Sequence, residues 1–175
     1  MQVLNEMDRD LLLWIQENLR TKELTERMKK ITHLGDKGWL WVTITWVLYM
    51  CKKTRRIGVC MAASLMLAAF VTNLIVKPYV ARSRPYDSVR GLERLIPLQY
   101  DWSFPSGHTS ASFAAAGIIY FMACKKWGTV ALLLASAISY SRMYLGVHYL
   151  SDVLAGVAVG LGSAMIVDEI NERIK

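Results

Sequence analysis

The sequence is poor in charge, in cysteine and in proline. Only 20% of its 175 residues are charged while 54% are hydrophobic, which excludes a disordered or tail-like chain. Its three cysteines, Cys51, Cys60 and Cys124, lie within or at the ends of apolar stretches and form no C-x-x-C pair. Neither a disulfide framework nor a zinc site is suggested, and they read as small apolar side chains. There is no convincing internal repeat and no low-complexity segment. The early residues include Glu6, Asp8 and Asp10 rather than a basic region followed by a small-residue cleavage site, so no removable signal peptide is expected. The net charge of +7, from 21 Lys and Arg against 14 Asp and Glu, would suit nucleic acid in magnitude. A solvated basic face is missing, because long uncharged runs separate the charges, and no nucleic-acid partner is expected.

What the chain does have is apolar runs of bilayer length. Ile57 to Val76 is twenty residues without a charge, which at about 1.5 Å per residue matches a hydrocarbon core of roughly 30 Å. Thr109 to Cys124 is also uncharged and reaches bilayer length with the helix-compatible residues before it, and Trp127 to Ser141 and Val153 to Val167, uncharged too, each lengthen to a span if Arg142 and Asp152 sit at a polar rim. Gly38 to Cys51 is shorter, at fourteen residues. Trp39, Trp41 and Trp46 suit a membrane interface there, and Lys37, Lys52 and Lys53 can snorkel from its ends, so it is read as a fifth span. The expected fold is all-α: a polytopic bundle of about five transmembrane helices occupying residues 38–175.

Residues 1–37 differ. Leu4, Met7, Leu11, Ile15 and Leu19 recur every three to four positions among charges, which predicts an amphipathic helix too polar to cross. It suits the membrane surface, and packing on protein explains the same pattern. Small residues in the last span, including Gly156 and Gly160 at G-x-x-x-G spacing, permit close helix contact, most simply within the chain.

Short basic loops orient the spans. Lys52, Lys53, Arg55 and Arg56, then Lys125 and Lys126, then Arg173 and Lys175 fall on one side of an alternating bundle, the cytoplasmic side by the positive-inside rule. The segments Lys77 to Gly107 and Arg142 to Tyr149 then face the exoplasm. Residues 1–37 join them, and the seven basic residues there count against this orientation.

Three polar clusters gather on that exoplasmic face. The first runs from Lys77 through Arg82 and Arg84 to Pro85, the second from Phe104 to His108, and the third from Ser141 and Arg142 to His148 and Asp152. Each alone has a bland explanation: snorkelling, helix capping or a satisfied polar pair. Together they describe an oxyanion site. Lys77, Arg84 and Arg142 supply positive charge, and the arginines can fork onto non-bridging oxygens. Ser106, Gly107 and His108 offer backbone N–H groups at a helix N-terminus. His148 and Asp152 are four apart, so a helix would put them on one face, with the carboxylate holding one ring nitrogen and the other free for phosphorus. His148 then makes a nucleophile and His108 an acid. Metal binding is a competing use of these residues, but the arginines would repel a cation.

The spacing K-x6-R-P at Lys77 to Pro85, P-S-G-H at Pro105 to His108 and S-R-x5-H-x3-D at Ser141 to Asp152 resembles the three-part signature of the type 2 phosphatidic acid phosphatases, with every signature position matched. The resemblance implies a membrane lipid phosphatase without metal or other cofactor, acting on a monophosphate or diphosphate through a phosphohistidine. It assigns His148 as nucleophile, Asp152 as its orienting partner and His108 as the acid for the leaving oxygen. Lys77, Arg84, Ser106, Gly107 and Arg142 would hold the phosphoryl group. Relatives commonly have six transmembrane helices, and here the amphipathic segment stands where the first would be. Short size favours undecaprenyl diphosphate as substrate over phosphatidylglycerophosphate or phosphatidate, and a bacterial inner membrane as location. Vanadium haloperoxidases are similar in their oxyanion site but soluble, which the apolar spans oppose. A non-catalytic membrane scaffold is opposed by intact His108, His148 and Asp152.

Overall fold

A computed structural model describes residues 2–174, with side-chain surroundings from Glu6 onward. The side chain of Leu4 and the whole of Lys175, both used above, lie outside the described residues. Among these the chain is helical without strands. Two polar helices, α1 (Gln2–Leu19) and α2 (Lys22–Leu34), lead through a 3-10 turn, Asp36–Gly38, into α3 (Trp39–Met50). Then come α4 (Arg55–Phe70), a π-helical stretch Val71–Val76, and the short helices α5 (Lys77–Val80) and α6 (Pro85–Ser88). A long irregular segment precedes α7 (Gly107–Met122), α8 (Lys125–Tyr144) and α9 (Leu150–Arg173).

Helix α7 is central, packed against α4, α8 and α9. Its Ala114, Ala115, Ala116 and Gly117 are buried, and small side chains are what let three neighbours approach one helix. The closest approach is to α9. A Cβ on Gly156 would stand 2.8 Å from the Ser106 carbonyl oxygen, and one on Gly160 2.6 Å from that of Ser110. The G-x-x-x-G pair therefore packs within the chain.

The bundle carries small hydroxyl residues inside and large apolar ones outside. Ser64, Thr72, Ser110, Ser112, Ser139 and Ser163 are buried, while Trp46, Met66, Leu74, Trp127, Leu133 and Met165 are exposed. Water does not favour such a surface, and a bilayer does. Two stretches, Arg55–Ser88 and Leu150–Arg173, are long and apolar enough to cross a membrane by length and composition. The fold is that of an integral membrane protein.

Two expectations change on contact with the structure. Trp41 is not an interface residue: it is buried and its Nε1–H donates to Ser112 Oγ at 2.9 Å, tying α3 to α7. Helix α1 packs on α8 and α9, but through Asp8, Leu12 and Ile15. Met7, on the apolar stripe that the periodicity picks out, is exposed. Leu11, Ile15 and Leu19 of that stripe pack inward, and the buried face also takes in Leu12 and Asp8, the latter paired with Arg82, which a count of apolar positions cannot register.

Candidate active site

Pro78 has no N–H to offer the Leu74 carbonyl, and its ring would crowd that oxygen in a regular helix. The preceding turn widens to π geometry, with the Lys77 N–H reaching back to Thr72 O. Lys77 is thereby buried, and its ammonium pairs with the Asp101 carboxylate. Arg84, just before α6, is buried too. Its Nε donates to Asp101 O at 2.9 Å, Nη2 to Asp101 Oδ1 at 2.7 Å and Nη1 to Val147 O at 2.8 Å. The same Nη1 lies 3.3 Å from His148 Nε2.

His148 and Asp152 meet, but not as two positions on one helix. His148 lies in the turn before α9, and Asp152 is in the first turn of that helix. Asp152 Oδ2 accepts the Tyr149 N–H at 2.9 Å, which folds the turn over the carboxylate and brings His148 Nδ1 to 3.4 Å from it. With Nδ1–H donated there, Nε2 carries the lone pair and faces Arg84. Burial, reinforced by Arg84 and Arg142, pushes the His148 imidazole well below its usual range against the pull of Asp152, so the ring is neutral. Asp152 is further held by Arg82 Nη1 at 2.7 Å and by the Ser103 hydroxyl.

Ser106 and Gly107 open α7 against this pair. The Ser106 N–H donates to Asp152 O at 3.0 Å, and a Cβ on Gly107 would come 3.7 Å from Lys77 Nζ. Arg142, at the end of α8, is buried. Nη1 donates to Thr32 Oγ1 at 2.7 Å, and Nε has no hydrogen-bond partner among the described residues. An orphaned guanidinium N–H beside a histidine is suited to an anion. Lys77, Gly107 and His108 line one groove of about 340 Å3, and His108 with Arg142 lines a second of the same size.

Several contributors escaped the sequence reading. Asp8, buried on α1, accepts from Arg82 Nη2 at 2.9 Å and from the Ser151 N–H at 3.0 Å, which braces the start of α9. Thr32 anchors Arg142. Asp36 Oδ1 lies 3.0 Å from His108 Nε2, and Oδ2 lies 2.7 Å from His33 Nδ1. The His108 hydrogen bond first, and that of His33 after it, hold the Asp36 carboxyl down at about 2 against the effect of burial. At Asp101 burial works upward, and Lys77 and Arg84 overcome it to keep the carboxyl at about 2. Asp8, Thr32 and Asp36 come from the N-terminal segment, in which only an amphipathic pattern was legible.

Comparison with known proteins agrees with this geometry. The family model described as the PAP2 superfamily matches residues 57–173. An undecaprenyl-diphosphatase of Sulfolobus acidocaldarius is 33% identical over 124 residues, 71% of this chain and 60% of that protein, so the chain spans less than two thirds of that relative's length. Phosphatidylglycerophosphatase B of Bacillus subtilis is 31% identical over 176 residues, covering 90% of this chain and 80% of its own. The crystal structure of a transmembrane PAP2 type phosphatidylglycerolphosphate phosphatase from Bacillus subtilis superposes with a TM-score of 0.84 at 28% identity, over 100% of this chain and 89% of that one. With the three signature clusters converging on one site inside that fold, the chain belongs to the PAP2 superfamily.

Proposed function

We propose that the chain is an integral-membrane lipid phosphatase, with undecaprenyl diphosphate as its substrate. The observation that carries this reading is the His148 imidazole, with Nδ1 on Asp152 and Nε2 3.3 Å from a guanidinium of Arg84. A neutral nitrogen facing a buried cation is what attack on an anionic phosphoryl group requires. The groove lined by Lys77, Gly107 and His108 supports a lipid. It is walled by Val42 of α3, Leu65 and Ala69 of α4 and Ala111 of α7, so an acyl or prenyl tail can lie on apolar side chains while its phosphate reaches Lys77 and Gly107.

In the first half-reaction His148 Nε2 bonds to phosphorus, the bond from phosphorus to the leaving oxygen breaks, and His108 gives that oxygen its proton. In the second, water attacks phosphorus, the N–P bond breaks and a water proton returns to His108. Lys77, Arg84, Arg142, the Ser106 hydroxyl and the backbone N–H groups at Gly107 and His108 hold the equatorial oxygens throughout, while the Ser106 N–H stays on the Asp152 carbonyl. Positive charge comes from side chains, so no metal is needed to offset the phosphate. We take α3, the α4 to α5 stretch, α7, α8 and α9 as five spans, residues 38–175 as the membrane domain and residues 1–37 as a surface segment. The site then opens on the exoplasmic side, in a bacterial inner membrane.

Phosphate release by the purified protein in detergent tests this, with undecaprenyl diphosphate, phosphatidylglycerophosphate, phosphatidate and a water-soluble ester compared in the presence of chelator. Fastest release from the diphosphate is expected. Release fastest from phosphatidylglycerophosphate would favour the second reading, for which the full-length similarity to the Bacillus subtilis phosphatase speaks. No release from any lipid, or release only after magnesium or zinc is restored, would overturn the proposal.

A further inference from the structure

The acid of the reaction has a carboxylate of its own, supplied from outside the signature. His108 opens α7, and the turn that carries Asp36 is pressed against it. A Cβ on Gly35 would stand 2.7 Å from His108 Cδ2 and 2.8 Å from Ile138 Cγ2, so the backbone of residue 35 touches the ring. The turn is conformationally defined, since Lys37 and Gly38 both take positive φ, 50° and 70°. From it Asp36 reaches His108 Nε2 at 3.0 Å, while its other oxygen is held by His33 Nδ1 at 2.7 Å. Asp36 is thus fixed from both sides rather than swinging in solvent.

The charge around His108 makes this contact consequential. Arg142 of α8, Arg84, Lys77 of α5 and Lys37 of the turn all face the ring or the grooves it lines, and each disfavours an imidazolium. His33 of α2 bonds to Asp36. Asp101 is engaged with Lys77 and Arg84. Among the described residues, Asp36 is the carboxylate in hydrogen-bond contact with His108, and it is the group that favours the protonated ring.

Resting on the phosphatase reading, we propose that Asp36 is the positioning residue of the general acid. By accepting the Nε2–H it directs His108 Nδ1 to the leaving oxygen, and it stabilises the imidazolium that donates the proton. Each histidine then has its carboxylate: Asp152 for the nucleophile within the signature, Asp36 for the acid from the turn before α3. The acid matters most when the departing oxygen is a poor leaving group, so Asp36 acts on that part of the barrier.

The test compares wild type, Asp36→Asn, His108→Ala and the double variant on two substrates under conditions where chemistry is rate-limiting. One is the lipid phosphate that wild type hydrolyses fastest, and the other is p-nitrophenyl phosphate. Asp36→Asn should lower kcat on the lipid about 10–100-fold, a share of the roughly 10²–10⁴-fold that general acid catalysis supplies. On the aryl ester it should lower kcat less than about 3-fold, because that oxygen leaves without a proton. The double variant should be no slower than His108→Ala alone. The alkaline limb of the kcat profile should move to lower pH in Asp36→Asn, because loss of the carboxylate makes the imidazolium give up its proton more easily. A partly unfolded variant loses the same fraction on both substrates, so the ratio reports chemistry alone. Equal losses on both substrates with an unmoved alkaline limb, or additive losses in the double variant, would overturn this inference and leave the phosphatase reading standing. No phosphate release by wild type from either substrate would overturn both.

Discussion

Asp101 bonds to Lys77 and Arg84, two of the cations that the signature assigns to a phosphoryl group. Its carboxyl is held at about 2, so it stays ionised across the working range and competes with an anion at any such pH. The Asp101 side chain is half exposed, so the competition is modest, within the 0.2–1 kcal/mol or so of exposed ion pairs. Asp101→Asn should therefore tighten inhibition by orthovanadate or inorganic phosphate by up to about 5-fold. Inhibition constants measured on wild type and variant decide it, and weaker inhibition in the variant would mean that Asp101 instead holds the two cations in place for the anion. The lesson in legibility is local. Lys77, Arg84, His108, Arg142, His148 and Asp152 stand in short windows whose spacing is itself the signal. Asp36, Asp8 and Thr32 stand in a segment with seven acidic and seven basic residues, where any one charge looks solvated. Arg82 sits within the first window, but nothing in its neighbours announces the bond to Asp152.

At the level of elements, the site depends on the seam between α7 and α9, because Ser106 to His108 ride on one helix and Asp152 on the other. The backbone of α7 touches Gly160 so closely that any Cβ there must displace it. Gly160→Leu should destabilise the protein by about 1–3 kcal/mol, the usual cost of overpacking. Thermal unfolding in detergent is expected to show a lower Tm, together with a loss of turnover, while Gly162→Leu, where a Cβ meets open space, should leave both near wild type. An unchanged Tm in Gly160→Leu would show that the seam can part without cost. Helix existence was readable in this chain because uncharged runs are long: α3, α4, α7, α8 and α9 fall where those runs predict. Register was harder. The inward place of Asp8 on α1 comes from its pairing with Arg82, and the widened turn before Lys77 is set by Pro78 acting on a carbonyl four residues back. Both are geometric consequences that hydrophobic period does not encode.

At the scale of the molecule, the contacts of the N-terminal segment bear on topology. Its seven basic residues would by themselves draw residues 1–37 to the cytoplasmic side. Yet Arg20 Nε donates to Tyr144 O at 3.1 Å, Arg82 pairs with Asp8, and Asp36 meets His108. The segment must therefore share a side with the site, whatever side that is. Basic loops at 52–56 and 125–126, at the other end of the proposed spans, favour the cytoplasm, and that is the ground for proposing the site and the segment outside. Several weak signals on two loops are then opposed by one segment that tertiary contacts hold in place. With Cys51, Cys60 and Cys124 replaced, single cysteines at Thr21, Thr54 and Ser88 should separate the alternatives in whole cells treated with an impermeant thiol reagent. Thr21→Cys and Ser88→Cys are expected to label, and Thr54→Cys only after the cells are opened. Labelling of Thr54→Cys alone would invert the whole chain and place the site in the cytoplasm. Opposite behaviour of Thr21→Cys and Ser88→Cys is the outcome that the contacts from Arg20, Asp8 and Asp36 forbid, because the bilayer cannot lie between residues that hydrogen-bond to one another.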